Sequence, residues 1–393
     1  MMEGQPLQTH CTPRQFEFQG PGRREIVARF DGGRITSDGG VVLLGEVDRR
    51  RRIVERFATC FEDSREPGSV EHTVEELLRQ RLYALACGYE DLNDHDELRS
   101  DALLAAVVGK RDPEGRERKR ERDRGAALAG KSTLHRLEWG VAGQADEDRY
   151  RRIAISAEAV DRFFVDVFLD SHASPPDKIV LDLDATDDPL HGEQEGRFFH
   201  GYYGHYCYLP LYVFCGRHLL CARLRRSNID AAAGSVEEVD RIVGQIREVW
   251  PEVSILVRAD SGFAREELMG WCEANGVEFV LGLARNSRLQ ARLAPALERA
   301  HELGEETGKP VRVFAEWQHE TRKTWSRKRR VIGKAEITIH GENPRFVVTS
   351  LSAKKMKARA VYEDLYCARG DMENRIKEQQ LDLFATRTSG RLM

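Results

Sequence analysis

The sequence predicts an α/β protein in which a long helical region precedes a strand-rich region. Apolar residues recur at helical spacing up to about residue 175, and strand-like segments such as KIVLDLDAT, VSILVRADS and EFVLGLARN follow from about residue 176. Two of these apolar strands end in a carboxylate, at Asp184 and Asp260. The helical and strand-rich regions and the two acids together set the prediction of fold and site.

The composition is that of a globular protein long enough for two or three domains: 393 residues, 41% hydrophobic and 32% charged. No signal peptide or membrane-length apolar run is seen, and the eight cysteines contain no CxxC pair, which predicts a cytoplasmic protein without membrane association. The net charge of −4 argues against nucleic-acid binding by the chain as a whole. Only local basic patches can supply phosphate contacts, since salt screens a field beyond about 8–10 Å.

Residues 1–175 are predicted to form a helical N-terminal region. Ser69 is expected to cap a helix that runs to Tyr89, a second helix covers 97–108, and Ser132 caps a short helix with the sequence TLHRLEWG. A longer helix with an apolar stripe is expected over 153–167. The region fits a DNA-binding module with AGKSTLHRLE as its recognition helix, and it fits an ordinary helical bundle equally well.

Residues 176–290 predict the first part of a catalytic core. A strand, then a hairpin that turns at Gly216, are followed by a helix over 235–250, a strand, a helix over 265–275 and another strand. Three consecutive strands and then helix–strand–helix–strand is the element order of a ribonuclease H-like fold. In that fold, acids are expected at the ends of the first and fourth strands, where Asp184 and Asp260 stand.

Residues 291–352 are predicted to be a β-rich insertion, after which 353–393 return to the core as its final helix. The stretch from Arg312 to Lys334 carries eight Lys and Arg against two Glu. Because counterion release makes phosphate contacts a strong source of DNA affinity, this stretch is a candidate DNA-binding surface. Its candidate contact residues are Arg327, Lys328, Arg329 and Arg330.

Strand alternation places Asp182 and Asp184 on the same face of the sheet. Asp184 is nearer the strand end and is the better candidate for a metal ligand. Asp182 is deeper, and the alternative for it is a structural role as an acceptor of hydrogen bonds from a neighbouring loop. Asp260 precedes Ser261-Gly262, so it fits either a metal site or a helix-capping loop. These alternatives are not separated by the strand pattern alone.

The last helix carries the third acid, Glu373. At 100° per residue, Tyr366, Arg369, Glu373 and Lys377 form one stripe, and an apolar stripe lies roughly 90° away. Since other polar residues already supply a solvent-facing side, the separate stripe indicates the wall of a site. Three carboxylates at one point require a cation, because two unit charges ~5 Å apart repel by about 3 kcal/mol at a dielectric of 20.

Oxygen ligands favour Mg²⁺ or Mn²⁺, and two such ions suit an in-line displacement at phosphorus. A zinc site is disfavoured, since His191, His200 and His205 lack HExxH-like spacing.

Three segments, LDLDATDDPLHGEQEGRFFHGYYGHYCYLPLYVF, RADSGFAREEL and YEDLYCARGDMENRIKEQQLDL, resemble DDE transposases of bacterial insertion sequences. The similarity is greatest to the thirteen-eighty group of the insertion-sequence-four superfamily, and GYEDLNDHDELRSD and LAGKSTLHRLE fit the same group. The resemblance implies a ribonuclease H-like core in which Asp184, Asp260 and Glu373 are the catalytic and metal-binding triad.

The superfamily signature of Tyr, Arg and Glu is matched by Tyr366, Arg369 and Glu373, and these Tyr and Arg positions are expected to contact DNA. The usual Lys seven places after the Glu is replaced by Gln380, and Lys377 is the candidate substitute. Family members resemble hairpin-forming enzymes in which an aromatic of the β insertion grips a flipped base. Trp325 is the candidate here; Trp317 fits sheet packing at least as well.

The sequence therefore predicts an enzyme that cleaves double-stranded DNA at insertion-sequence ends and joins it to target DNA by a two-metal mechanism, as a homodimer or higher oligomer. A ribonuclease H-like structure-specific nuclease and a truncated, inactive DNA-binding remnant are the alternatives. Because related chains continue with another apolar helix, we expect the face at Ile376 and Leu383 to be partly uncovered and the final helix to be loosely held.

Overall fold

A computed structural model describes residues 15–19, 25–29, 36–139, 152–321 and 324–386. Arg322 and Lys323 of the basic stretch lie outside the described residues, as does the terminal SGRLM. The chain divides into two compact units, Met1–Phe163 and Phe164–Met393. Within the described residues, no helix combines the length and the apolar character needed to cross a membrane.

The first unit is mainly helical, and its apolar core includes Leu77, Val108, Leu128 and Leu134. Its elements are β1 (Gln15–Gln19), β2 (Glu25–Arg29), α1 (Val41–Arg51), α2 (Ile53–Ala58), β3 (Phe61–Asp63), α3 (Val74–Ala86), α4 (His95–Leu98), α5 (Ala102–Val108), α6 (Lys131–Glu138) and β4 (Ile153–Ile155). The division between the units falls within the next helix, α7 (Ala157–Asp170).

Local helix boundaries in the first unit differ from the sequence-based predictions. Helix α3 is capped by Thr73 rather than Ser69, because the Thr73 hydroxyl and the Glu76 carboxylate each accept a backbone N–H in a reciprocal capping box. Asp101 caps α5 through the Leu104 amide, so this helix begins at Ala102 and not at 97 as predicted, and it ends at Val108 as predicted. No side-chain cap precedes α6, where Gly130 takes the position expected of Ser132.

The segment 153–155 was predicted as the start of a helix and is instead strand β4. It pairs antiparallel with β3, with Phe61 opposite Ile155 and Asp63 opposite Ile153. The apolar spacing of Ile153 and Ile155 fits both periodicities over so short a stretch, and a partner about ninety positions earlier in the chain decides between them.

The second unit is built on one large mixed sheet, and this confirms the α/β class. Its elements after α7 are β5 (Lys178–Ala185), β6 (Asp188–Pro189), β7 (Phe198–His200), β8 (His205–Tyr208), β9 (Leu211–Cys215), β10 (His218–Arg223), α8 (Ser235–Val249), β11 (Ser254–Ala259), α9 (Glu266–Ala274), β12 (Glu278–Leu283), α10 (Ser287–Thr307), β13 (Val311–His319), β14 (Arg329–Thr338), β15 (Gly341–Glu342), β16 (Arg345–Thr349), α11 (Ala358–Ala360) and α12 (Gly370–Asp382).

The central sheet has the strand order β10-β9-β5-β11-β12-β16-β14-β13, with β15 paired to β14. Strands β5, β11 and β12 run parallel to one another, and the remaining neighbours are antiparallel. The segment predicted as an insertion, 291–352, therefore contributes strands that continue the same sheet beyond β12. A separate small sheet, β6-β8-β7, lies between β5 and β9 in the chain.

The two faces of the central sheet are covered by different helices. Strand residues such as Leu181, Leu183 and Val257 share one apolar core with α8, α9 and α10. The opposite face, which includes Leu256 and Val280, packs against Val361 and Tyr362. These last two residues belong to the C-terminal helical segment, here defined as 358–382.

The C-terminal helical segment is one irregular helix rather than the regular helix predicted over 354–383. Helix α11 passes into a π-helical turn at Val361–Tyr366, then a 3₁₀ turn at Cys367–Arg369, and then α12.

The expectation that Ile376 is partly uncovered is wrong. Ile376 is buried with Met372 against Tyr212 and Phe214 of β9, whereas Leu383 is half exposed.

Candidate active site

Two of the three candidate acids lie side by side at the ends of parallel strands. Asp184 is the second-last residue of β5, and Asp260 directly follows β11. The two strands pair in parallel from Ser254↔Lys178 to Ala259↔Leu183. Because parallel strands end at the same edge of a sheet, the two carboxylates are brought together there.

Strand alternation decides which face these acids occupy. Leu181 and Leu183 point into the core shared with α8 and α9, so Asp182 and Asp184 point to the face that carries the C-terminal helical segment. The sequence-based prediction that the two aspartates share one face is confirmed by this arrangement.

Glu373 is brought to the site by Arg369. The Arg369 guanidinium donates to Glu373 at 2.5 Å, and its other Nη lies 3.7 Å from the Asp184 carboxylate. That second Nη is buried and has no hydrogen-bond partner among the described residues. One arginine thus stands between Asp184 and Glu373.

The acids perturb one another electrostatically. Burial, together with the negative charges of Asp260 and Glu373, raises the pKa of Asp184 from 3.8 to about 6, against the opposing charge of Arg369. Burial also works to lower the pKa of Arg369, but the carboxylates of Asp184 and Glu373 outweigh it and raise that pKa. The site therefore holds more negative charge than its arginine neutralises.

Asp260 is oriented by its own loop. Its carboxylate accepts a 2.8 Å hydrogen bond from the Gly262 amide and caps the 3₁₀ turn Ser261–Phe263. The helix-capping interpretation of Asp260 is confirmed by this contact, and the metal-site interpretation stays a prediction. The capping hydrogen bond is accepted by the Oδ1 atom of Asp260.

Asp182 does not bond to a loop but to Arg258 on the neighbouring strand. Arg258 donates to both carboxylate oxygens of Asp182, at 2.5 and 2.7 Å, and also to the backbone carbonyl of Leu365. Sequence reasoning missed Arg258. The signal was present as a lone charge within the apolar strand ILVRA, at the position whose side chain alternates onto the Asp182 face.

Tyr366 is packed into the site rather than extended from it. Its hydroxyl lies where a Cβ on Gly282 would come within 2.6 Å, so β12 needs glycine at this point to admit the ring. Burial raises the pKa of Tyr366. Gly282 is a second site residue that sequence reasoning missed; its signal was a glycine inside the apolar strand EFVLGL.

A tyrosine of the small sheet also approaches the acids. The Tyr203 hydroxyl donates to the carbonyl of Ala185 at 3.4 Å, and burial with the nearby charges of Asp187 and Asp184 raises its pKa. His205 of β8 lies 2.7 Å from the carboxylate of Asp187, which directly precedes β6. No sequence signal marked Tyr203, because its closeness to Asp184 depends on how the hairpin folds back.

The four residues of the basic run 327–330 differ in burial: the first two are exposed and the last two are buried. Arg329 is buried and pairs with Glu266 and Glu273 of α9, and Arg330 is buried against Glu316 and the carbonyls of Leu351 and Met356. These two guanidinium groups are engaged by the protein itself. Arg327 and Lys328 are exposed, with longer ion pairs to Glu273 (3.4 Å) and Glu320 (3.9 Å).

The other candidate DNA contacts occupy different environments. Trp325 is half-buried, with its ring 5.5 Å from the Arg329 guanidinium and edge-on to His319. Trp317 packs against Phe346, the sheet-packing alternative for that residue. Lys377 is exposed on α12, one turn beyond Glu373.

In the part of the chain that the structure describes, no three His, Cys, Asp or Glu side chains form a group arranged to hold a metal ion. The donor chemistry nevertheless fits a hard divalent cation: Asp184 and Asp260 offer carboxylate oxygens, and Glu373 offers a third once Arg369 releases it. Burial raises the pKa of Asp184, the charges of Asp260 and Glu373 add to that shift, and such a perturbed carboxylate is typical of functional sites.

Comparison with known proteins gives one family. The family model described as transposase DDE domain group 1 matches residues 18–393. No curated protein matches the chain.

Proposed function

The chain belongs to the transposase DDE domain group 1 family, and from this premise we propose that it cleaves DNA at the ends of an insertion sequence and joins the freed ends to target DNA. The family suggests an enzyme and implies DNA as its substrate. The observation that carries the proposal is the cluster of Asp184, Asp260 and Glu373 around Arg369, at the ends of two parallel strands.

The strand order supports a ribonuclease H-like core. Strands β10-β9-β5-β11-β12 have the third, second, first, fourth and fifth core strands side by side, with the first parallel to the fourth. That is the order expected for the element sequence of this fold. We also propose membership of the thirteen-eighty group, on the segments quoted above.

We propose that Asp184, Asp260 and Glu373 would hold Mg²⁺ or Mn²⁺. When bound, two such ions supply the positive charge that activates an attacking oxygen and stabilises a leaving one in an in-line displacement at phosphorus. Asp260 keeps one oxygen for this role while Gly262 orients the other. Glu373 would be free to hold an ion only without its contact to Arg369.

Arg369 then has a second role in the proposal. A guanidinium released from Glu373 carries donors in a planar fork that suits the non-bridging oxygens of a phosphate. The same residue would thus neutralise the acids before the substrate binds and contact the phosphodiester afterwards. Tyr366 would pack beneath it, with its ring fixed against Gly282.

The proposed DNA contacts outside the acid cluster are the exposed cations Arg327, Lys328 and Lys377. Trp325, Arg329 and Arg330 would support this surface from below, since Trp325 is half-buried and both arginines are paired with carboxylates. We propose that the protein acts as a homodimer or higher oligomer on DNA, so that two ends can be joined together.

The test is a combined cleavage and strand-transfer assay with DNA that carries the ends flanking this gene, in Mg²⁺ or Mn²⁺. We expect wild-type protein to cleave and join, and Glu373→Gln to bind DNA without cleaving it. Asp364→Asn is the matched control, because it removes an exposed carboxylate from the same helical segment. Cleavage without joining would identify a structure-specific nuclease, and binding without cleavage by wild type would identify an inactive remnant.

A further inference from the structure

We propose that Asp182 and Arg258 are positioning residues that hold the C-terminal helical segment, and therefore Glu373, at the ends of β5 and β11. The inference rests on the proposed function for its activity readout, but its structural part can be tested independently. Neither residue is assigned a role by the resemblance to transposases.

The register between β11 and β5 places Arg258 beside Asp182. Arg258 and Asp182 are direct partners in the parallel ladder between β11 and β5, and both side chains alternate to the face covered by the C-terminal helical segment. The guanidinium meets the carboxylate through two hydrogen bonds, at 2.5 and 2.7 Å. Only 8% and 5% of the two side chains are exposed, so solvent screens the pair little.

A third hydrogen bond extends the pair to the helix. The remaining Nη of Arg258 donates to the carbonyl of Leu365, one position before Tyr366 and eight before Glu373. Leu365 lies in the π-helical turn, next to the point where the segment changes to a 3₁₀ turn. Isolated π turns recur at functional sites, and here a side chain from the sheet contacts the backbone of one.

This contact explains why an ion pair is buried beside the acid cluster. A buried pair can often be replaced by apolar residues with no loss of stability, so stability alone does not require Arg258. Its planar fork can serve a carboxylate with two donors and a carbonyl with a third, which a single lysine ammonium cannot do with the same geometry. The pair thereby sets where the backbone that leads to Arg369 and Glu373 lies above the strand ends.

Two variants separate positioning from folding. The double variant Asp182→Leu/Arg258→Met replaces the pair with apolar side chains and avoids an unpaired buried charge. Arg258→Lys keeps the positive charge beside Asp182 but lacks the fork. The matched control is Arg241→Lys, because Arg241 also donates to a carboxylate, that of Glu238, and to a carbonyl, that of Leu220, and neither belongs to the acid cluster.

The measurements are the thermal unfolding midpoint, backbone hydrogen exchange across 361–373, and kcat and KM for cleavage of end-bearing DNA in Mn²⁺. We expect both Arg258 variants to fold and to exchange faster across 361–373. Their kcat should fall by about 10–100-fold with KM for DNA unchanged, as for other residues that orient metal ligands. The Arg241 control should match wild type in kcat and in exchange.

A double variant with wild-type kcat and wild-type exchange across 361–373 would overturn the proposal, and so would full activity of R258K. Failure of the proposed function gives a different result, because the wild-type protein would then not cleave at all. In that case the exchange data decide alone: faster exchange in the Arg258 variants supports the positioning pair, and unchanged exchange refutes it.

Discussion

Charged residues are treated in opposite ways at the acid cluster and at the hairpin of β13 and β14. In the hairpin, each buried cation has a carboxylate of its own: Arg329 has Glu266 and Glu273, Arg330 has Glu316, and Lys334 has Glu336. At the acid cluster, Asp184 and Glu373 both face Arg369, and Asp260 adds a third negative charge nearby. Positive and negative charges are therefore balanced in the hairpin, whereas negative charge is in excess at the acid cluster.

The difference shows how to distinguish structural from functional charge in this protein. Balanced pairs satisfy their own electrostatics and need nothing from outside. An excess of negative charge around a partly buried carboxylate such as Asp184 is costly unless a further cation or a proton joins it, and such imbalance is typical of active sites. A charge run in the sequence is therefore weaker evidence for function than an unbalanced cluster in the fold.

The largest expected effect is loss of cleavage when an acid of the cluster is neutralised. Asp184→Asn and Asp260→Asn should each lower kcat by more than the about 10–100-fold that residues behind metal ligands contribute. Single-turnover cleavage in Mg²⁺ measures this. The control is Asp382→Asn, which neutralises an exposed carboxylate at the end of α12. Cleavage by Asp184→Asn at the wild-type rate would show that the unbalanced charge of the acid cluster is not functional.

Breaking an ion pair in the hairpin of β13 and β14 should lower the free energy of unfolding rather than the rate of cleavage. Arg329→Met leaves Glu266 and Glu273 without their shared partner and should cost about 3 kcal/mol, the lower end for breaking a buried pair. Arg327→Met, at the neighbouring exposed position, should cost at most about 1 kcal/mol. Urea unfolding at neutral pH compares the two; equal losses would show that burial does not separate these arginines.

Neutralising Asp184 should stabilise the metal-free fold even as it abolishes activity. Folding raises the pKa of Asp184 from 3.8 to about 6, so the folded state binds more protons between these values, and the charged form costs stability above pH 6. Asp184→Asn should therefore gain roughly 1–3 kcal/mol at pH 8, and the gain should vanish below about pH 4. Urea unfolding in EDTA at both pH values tests this; a gain that grows as the pH falls would contradict it.

The smallest effect concerns the exposed part of the basic run. If Arg327 and Lys328 contact phosphates, replacing both with Met should reduce the slope of log affinity against log salt by roughly 0.9 for each lost contact. A salt titration of DNA binding measures the slope, with the exposed Arg217→Met as the control. An unchanged slope would make the hairpin wholly structural and would sharpen its contrast with the acid cluster.

Much of the fold could be predicted because it depends on local periodicity. Helix α8 was expected over 235–250 and spans Ser235–Val249, since its apolar spacing is uninterrupted. Strand β4 could not be predicted, because a three-residue strand exists only through its partner β3. For the same reason the pairing of β16 with β12, which joins the strands of the predicted insertion 291–352 to the central sheet, could not be predicted.

The sequence by itself determined the shared face of Asp182 and Asp184 and the common stripe of Arg369 and Glu373. The periods of strand and helix are properties of the local backbone, and they assign each side chain to a face wherever the element lies. Only the tertiary structure decided which charges acquired partners. Glu266 and Glu273 neutralise Arg329 from more than fifty positions away, and Arg258 engages Asp182 across 76 positions. Burial removes water that would otherwise solvate those charges, so their roles follow from the neighbours that the fold provides.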